Sequence, residues 1–199
     1  MADQGQLEIL RRGTAAWIAW LEEHPTTKVD LRGANLQGAS LRGAYLHESN
    51  LQGANLQGAN LSGALLLRTD LRGADLRGAN LQGASLQRAD LRRAKLQGAN
   101  LQQAMLHRAD LRGADLQQAD LAKADLAKAN FQGANLQQVT LSKANLIRAD
   151  LREAKLMGAK FEGATLRDAD LRRAILYGAT VTQAQLAQAE SLEDAIGPW

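Results

Sequence analysis

The sequence predicts an all-β solenoid in which four short sides form each coil, and two periodicities lead to this prediction. From Leu31 to Leu186 every fifth residue is leucine except at Phe131, Phe161 and Val181, which gives 32 consecutive centres. The residue two before the centre is alanine in 28 of these 32 units. A second period of 20 residues relates six of the seven Asp-Leu-Arg tripeptides, which begin at Asp30, Asp70, Asp90, Asp110, Asp150 and Asp170.

A period of five excludes a regular helix or strand. On a helix each step of five residues advances by about 500°, so the leucines would occupy every face. On a straight strand an odd period sends successive leucines to opposite sides. The chain must therefore turn once per unit, with leucine and alanine inward, and four units of five residues close a coil of 20. The 32 units make about eight coils.

The N-terminal segment, residues 1–25, has the pattern of an amphipathic capping helix. Its apolar residues recur at helical spacing up to Pro25, which ends the helix, whereas Gly13 weakens the helix without being expected to break it. Such a helix would cover the unpaired backbone of the first coil, which leaves residues 26–190 for the β-helix. The apolar stripe comprises Leu7, Leu10, Trp17, Ile18 and Leu21.

The C-terminal segment, residues 191–199, is predicted to form a second cap. The stretch from Ser191 to Asp194 resembles a capping box, and Gly197-Pro198 resembles a stop signal, which together predict a short terminal helix. Trp199 either folds back on the last coil or contacts a second copy of the chain. The sequence leaves this choice open, and with it a homodimer formed through the C-terminus.

The individual units resemble the A(D/N)LXX motif of the pentapeptide-repeat family. Residues 34–38 read ANLQG and residues 74–78 read ADLRG, and the repeated units span residues 29–188 of 199. The resemblance implies a right-handed quadrilateral β-helix; the handedness comes from the resemblance alone. It also implies an alternative function, that of a DNA mimic directed at gyrase through an acidic surface. This chain departs from that pattern, because arginines accompany its recurring aspartates.

The composition offers little for catalysis or metal binding. Cysteine is absent, and His47 and His107 fall three coils apart, so they cannot share a metal ion. Carboxylates would stand on convex surfaces that do not exclude water. We therefore predict no catalytic site, no cofactor and no metal. No apolar run has the length of a membrane span or an export signal, so a cytoplasmic protein is expected.

One of the four sides departs most from the consensus and is the candidate partner-binding face. Its corner position, two residues after the centre, carries five stacked cations: Arg68, Arg88, Arg108, Lys128 and Arg148. The same side carries large apolar residues at outward positions: Tyr45, Leu65, Leu67, Met105 and Ile147. Like charges at strand spacing repel each other, which favours an external partner that offsets the repulsion.

These features predict a non-enzymatic, rod-shaped protein-binding module, with a regulatory role, that docks a protein with an acidic surface. Two alternatives remain for the cations: a merely solvated corner, and a phosphate-bearing polymer as the ligand. Nucleic acid is disfavoured, because only one basic stripe exists and aromatic residues make up 4% of the chain. The net charge of +3, from 24 basic and 21 acidic residues, does not decide the partner.

Overall fold

The structure, a computed structural model, describes residues 2–197, and within that range three helices flank or interrupt a long series of single-residue β-bridges. The helices are α1 (Gln4–Arg11), α2 (Thr14–Glu23) and α3 (Gln183–Leu186). The bridges are parallel and join residues 20 apart, from the pair Asp30 and Asn50 to the pair Lys160 and Thr180. Four units of five residues thus form one coil, as the 20-residue period predicts.

The four sides of the coil are numbered here by their central residues. The first side is centred on Leu31, the second on Leu36, the third on Leu41 and the fourth on Leu46, and each recurs every 20 residues. Every side therefore becomes a flat column of stacked units that runs along the rod. Parallel bridges space these units by about 4.8 Å.

The backbone of each unit combines one turn with one step of the ladder between coils. On the first side, the N–H of Leu31 donates to the carbonyl of Asn50 at 2.8 Å, and the N–H of Gly33 donates to Gln52 at 2.9 Å. The N–H of Ala34 closes the turn on the carbonyl of Leu31 at 3.0 Å. This geometry places the residue two after the centre in the left-handed region, with φ of 65° at Gly33. Glycine adopts this conformation without the steric cost borne by other residues.

Aspartate or asparagine before the central leucine stabilises the same turn. The side-chain Oδ1 of Asn50 accepts from the backbone N–H of Gln52 at 3.1 Å, and Asp70 accepts from Arg72 at the same distance. Asparagine and aspartate commonly form such turns by bonding to the backbone two residues on. The A(D/N)L pattern thus has a local structural cause that does not depend on any ligand.

The interior of the rod is built from the central leucines and the alanines two residues before them. Leu66, Leu106 and Ala104 are fully buried, and Phe131 and Phe161 replace leucine with no exposed surface. Along the described coils these side chains are almost completely buried, so they fill the interior of the rod. Any recognition must therefore use the outer surfaces of the four sides or the two ends.

The N-terminal segment forms two helices, so the prediction of one continuous capping helix is wrong at Gly13. Gly13 has a φ of 110°, which lies outside the helical region, and it precedes α2 as its N-cap. The turn lets α1 and α2 lie over different sides of the first coil. A single straight helix could not contact all four sides, because its axis would cross the coil in one direction only.

Side chains and backbone of this helix pair bond to the exposed edge on every side of the first coil. On the first side, the backbone N–H of Asp3 donates to the Asp30 carbonyl at 2.8 Å, and Gln6 accepts from the Asp30 N–H. The edge carbonyls of the other three sides accept side-chain donors: Arg11 to Asn35, Thr14 to Arg42 and Trp17 to Tyr45. These bonds occupy groups that would otherwise pair with another chain.

The C-terminal prediction is wrong in position. The short helix is α3, which begins after Thr182, where the Thr182 and Gln185 side chains form a reciprocal capping box. The bridges then resume with an offset of 21 residues, so that Ser191 pairs with Asp170 and Ile196 with Ile175. Residues 191–196 therefore continue the coil instead of forming a helix. Gln185 Nε2 also donates to the carbonyls of Phe161 and Ala164, which fixes α3 over the third side.

Trp199, the predicted dimer or cap contact, lies outside the described residues. Across residues 2–197, no helix has both the length and the apolar character that crossing a membrane requires.

Candidate protein-binding surface

The fourth side brings the predicted cations into one continuous column, here called the basic column: Arg68, Arg88, Arg108, Lys128 and Arg148. All five side chains are exposed at the corner between the fourth side and the first. The backbone of every member lies in the left-handed region, with φ between 54° and 59°. Stacked units bring these charges to about the 4.8 Å spacing of neighbouring coils.

Glycine would suit this corner better on conformational grounds. A non-glycine residue with left-handed φ costs about 1–2 kcal/mol, and glycine largely avoids that cost. All 15 glycines that follow a centre by two residues lie on the first three sides, and none lies on the fourth. Backbone strain and charge repulsion thus coincide along the basic column. Residues such as Arg93, Lys123 and Lys143 take the same backbone conformation on other sides, so what distinguishes the fourth side is its unbroken run of five cations.

Ion pairs neutralise only the two ends of the basic column. Arg68 Nη1 lies 3.1 Å from Glu48 Oε1, and Arg148 Nε lies 3.3 Å from Asp168 Oδ2. The three central cations form no ion pair with any carboxylate of residues 2–197; they are Arg88, Arg108 and Lys128. The surface therefore presents three uncompensated positive charges between two compensated ends.

The aspartates of the neighbouring first side do not compensate these charges, because arginines of their own unit already bind them. Arg72 Nη2 lies 2.6 Å from Asp70 Oδ2, and Arg72 Nε donates to Asp70 Oδ1 at 2.8 Å. The same two-pronged pairing recurs along this side in six units, whose aspartates are Asp30, Asp70, Asp90, Asp110, Asp150 and Asp170. The first side is thus nearly neutral in its local charge, and the basic column stands out beside it.

The pairing also shifts the acidity of these aspartates. Hydrogen bonds from Arg32 hold the pKa of Asp30 at about 2, against the opposing effect of burial. Hydrogen bonds from Arg72 and Arg172 likewise lower the pKa of Asp70 and of Asp170 below the ordinary range. These carboxylates therefore remain ionised in the folded protein well below neutral pH.

We expect the free energy of unfolding to fall as the pH drops from about 4 toward about 2. An aspartate protonates near pH 3.9 when the chain is unfolded but only at lower pH when it is folded. The stabilisation is therefore complete above the unfolded pKa and is lost as the pH falls through the folded pKa. Urea denaturation at pH 2 to 7 measures this dependence.

The chain supplies a matched control for the acid effect. The double variant Asp70→Asn/Arg72→Gln copies the natural unit 50–52, which reads NLQ and retains the turn hydrogen bond of Asn50 to Gln52. Its loss of stability between pH 4 and pH 2 should be smaller than that of the unchanged protein. An identical acid profile for the two proteins would show that the Asp–Arg pairs do not cause the dependence.

Apolar residues also lie on the fourth side. Tyr45, Leu65 and Met105 occupy the edge opposite the basic column, whereas Leu67 lies between the centre of its unit and Arg68. Tyr45, Leu65, Leu67 and Met105 have exposed fractions between 37% and 42%, and Tyr45 pairs directly with Leu65 in adjacent coils. Ile147, the fifth predicted apolar residue, is only half-buried and lies farther along the rod. Within the fourth side, the exposed apolar surface is therefore concentrated in the N-terminal half, whereas the more exposed Tyr177 and Ile196 lie on the second side.

The sequence did not reveal that α2 extends this apolar surface. A groove of about 640 Å³ lies between α2 and the first coil, and Tyr45 and His47 line it on the fourth side. Ile18 and Leu21 of α2 line it as well, together with Pro25. The helical spacing of Ile18 and Leu21 predicts only that they face the rod. That they face its fourth side depends on the turn at Gly13.

The histidines and carboxylates of this surface are spread along the rod. Among residues 2–197, no three histidine, aspartate or glutamate side chains are grouped so that they could hold a metal ion. His47 and His107 lie on the fourth side but in coils 60 residues apart in sequence. The convex outer surface and exposed cations suit docking of a macromolecule better than enclosure of a small substrate.

Comparisons with known proteins agree with the repeat pattern. A family model described as pentapeptide repeats matches in eight copies, over residues 27–63, 54–93, 84–122, 119–156 and 154–189. No curated protein sequence matches the chain. Among solved structures, the chain is similar to HetL from the cyanobacterium Nostoc sp. strain PCC 7120, a pentapeptide repeat protein involved in heterocyst differentiation regulation. The two are 36% identical over 84% of this chain and 82% of HetL, with a TM-score of 0.63.

Two further solved structures are more distant. Rfr23 from the cyanobacterium Cyanothece 51142 is 28% identical over 52% of this chain and 63% of its own, with a TM-score of 0.44. QnrB1, a plasmid-mediated fluoroquinolone resistance protein, is 19% identical over 83% of this chain and 87% of its own, with a TM-score of 0.46. The repeat register, the family match and the similarity to HetL all lead to one assignment. The chain belongs to the pentapeptide-repeat family.

Proposed function

We propose that this protein is a non-enzymatic binding module that docks an acidic surface of another protein on its fourth side. The observation that carries the proposal is the set of three uncompensated cations, Arg88, Arg108 and Lys128, beside exposed apolar residues. Interfaces combine apolar anchors with charges that select the partner. From the family resemblance we propose, in addition, that the coil is right-handed.

A regulatory role fits the same features. HetL, which is 36% identical, is involved in regulation of heterocyst differentiation. A rigid rod with a strained, charged column can bind a partner without catalysing a reaction. Because its units are stacked, the spacing of its charges is fixed. We propose a regulatory role of this kind, exerted by binding, for the present chain.

The structure argues against a DNA mimic, the alternative implied by the family resemblance. Such a mimic would need a stripe of free negative charge. The aspartates of the first side are bound by the arginines of their own units, as in the pair Asp70 and Arg72. The three cations of the fourth side that form no ion pair within residues 2–197, Arg88, Arg108 and Lys128, have the opposite sign.

The proposal is tested by charge reversal. We expect the triple variant Arg88→Glu/Arg108→Glu/Lys128→Glu to bind its partner at least about 30-fold more weakly, because loss of a close interfacial charge pair costs about 2–5 kcal/mol. Quantitative affinity purification, followed by titration of the purified partner, gives the measurement.

The control variant reverses three cations at the same corner position of other sides: Arg93→Glu/Lys123→Glu/Lys143→Glu. These residues share the left-handed backbone, with φ between 57° and 60°, and the change in net charge is identical. The control should retain the partner. Retention of every partner by the fourth-side variant would refute the proposed function.

A further inference from the structure

The fourth side carries two chemically different columns that run parallel to the rod axis. The basic column lies at the corner shared with the first side, and the apolar residues Tyr45, Leu65 and Met105 lie at the opposite edge. Both columns repeat once per coil, because bridges join Tyr45 with Leu65 and Ser85 with Met105. A ligand that fills both columns must itself present two parallel rows of different chemistry.

An α-helix has this property, and an extended strand does not. A helix turn rises 5.4 Å, so side chains on one face recur at nearly the 4.8 Å spacing of the coils. Over the two steps from Arg88 to Lys128 the mismatch is about 1 Å. Residues on one face of a strand recur at about 6.6–6.8 Å, which gives a mismatch of about 4 Å over the same two steps. A strand also turns only one row toward a surface.

The boundaries of the surface set the length of the helix. It begins at Tyr45 beside α2 and ends at Asp125, whose carboxylate accepts from the Ala127 N–H and from Asn145 Nδ2. Four coil spacings separate these ends, or about 19 Å. A helix of about 13 residues covers that distance.

We propose that the fourth side binds an amphipathic α-helix of the partner, lying along the rod, with an apolar stripe and an acidic flank. The apolar stripe contacts Leu65, Leu67 and Met105, and the acidic flank contacts the three uncompensated cations. This inference rests on the proposed function and specifies the partner's docking element. Opposite charge selects acidic helices over basic ones.

A synthetic probe tests the geometry directly. The probe is a side-chain-stapled, alanine-based peptide of about 14 residues, with leucines on one stripe and glutamates on the adjoining stripe. A scrambled stapled peptide of the same composition spreads both residue types around the helix. An unstapled, proline-containing peptide presents the same residues in an extended chain. Fluorescence anisotropy measures their binding to the protein.

We expect the striped helix to bind at least about 10-fold more tightly than either control peptide. Its affinity for the variant Arg88→Glu/Arg108→Glu/Lys128→Glu should be at least about 30-fold lower than for the unchanged protein. The control variant Arg93→Glu/Lys123→Glu/Lys143→Glu should bind it normally. Ser85 interrupts the apolar column between Leu65 and Met105, so Ser85→Leu should tighten binding several-fold by adding apolar contact.

Two outcomes would contradict the proposal that the ligand is a helix. In one, the scrambled or extended peptide binds as well as the striped helix. In the other, polyphosphate binds more tightly than any of the peptides and depends on the same three cations. The proposed function is separable, because it depends on the natural partner. Suppose that the fourth-side variant loses the natural partner, but only the extended peptide displaces that partner from the unchanged protein. This result would support the proposed function and contradict the proposal that the ligand is a helix.

Discussion

Replacing Trp17 with alanine is expected to lower the free energy of unfolding by about 3–5 kcal/mol, the usual cost of deleting a buried aromatic ring. Trp17 is fully buried against the first coil, and its indole Nε1 donates to the Tyr45 carbonyl at 2.8 Å. The loss should also expose the edge of the first coil, which then can pair with another chain. Urea denaturation and analytical ultracentrifugation measure the two effects.

Two single variants separate the causes of the Trp17 effect. Trp17→Phe keeps most of the ring and removes the donor, so it should cost about 1–3 kcal/mol through the unpaired Tyr45 carbonyl. Trp20→Ala removes a ring that stacks on Trp17 at 5.3 Å but is only half-buried. Trp20→Ala should lower the free energy of unfolding by less than Trp17→Ala does, and it should not cause the protein to self-associate. An equal loss for Trp17→Ala and Trp20→Ala would show that α2 does not act by sealing the first coil.

The sequence predicts the coil well because each unit repeats the same physical requirement. Leucine at the centre is buried in every coil, and the 20-residue charge period matches the observed pairing of residues such as Asp70 and Asp90. Errors of register are difficult in such a chain, because a slip of one residue would expose the whole leucine column. The fold therefore follows from local sequence multiplied many times.

The ends are less predictable because each occurs once and depends on the coil beneath it. Gly13 breaks the N-terminal helix since α1 and α2 must reach different sides of the first coil. At the other end, Thr182 and Gln185 form the capping box, whereas the similar pattern at Ser191 forms a turn in which Ser191 Oγ accepts from the Glu193 N–H. Two similar helix-start patterns thus lie within ten residues of each other. The one at Thr182 forms the helix, and its Gln185 side chain bonds to the Phe161 carbonyl.

The candidate site was only partly accessible from the sequence. The five cations and their position on one side follow from the register. Which of them are free does not, because ion pairing depends on side-chain geometry: Arg68 reaches Glu48 and Arg148 reaches Asp168, whereas the three central residues reach no carboxylate among residues 2–197. The groove beside α2 was also hidden, since it exists only after the helix pair is placed.

Replacing Phe131 with alanine should cost about 3–5 kcal/mol of unfolding free energy, because the ring lies in the middle of the rod with no exposed surface. Its neighbours in adjacent coils, Leu111 and Leu151, are equally buried, and the ladder that joins the coils restricts collapse around the cavity. Because each coil of a solenoid is stabilised mainly by the next, the cavity should weaken the coupling between the two halves of the rod.

Phe131→Leu is the matched control, since it restores the residue found at most centres. It should cost less than about 1.5 kcal/mol if the surrounding coils can adjust to the smaller side chain. Urea denaturation followed by circular dichroism gives both values, and a broadened or two-step transition for Phe131→Ala would report the weakened coupling. If Phe131→Leu proves as destabilising as Phe131→Ala, this position requires an aromatic ring. Leucine then could not replace Phe131 here, although it occupies the centre of most other units.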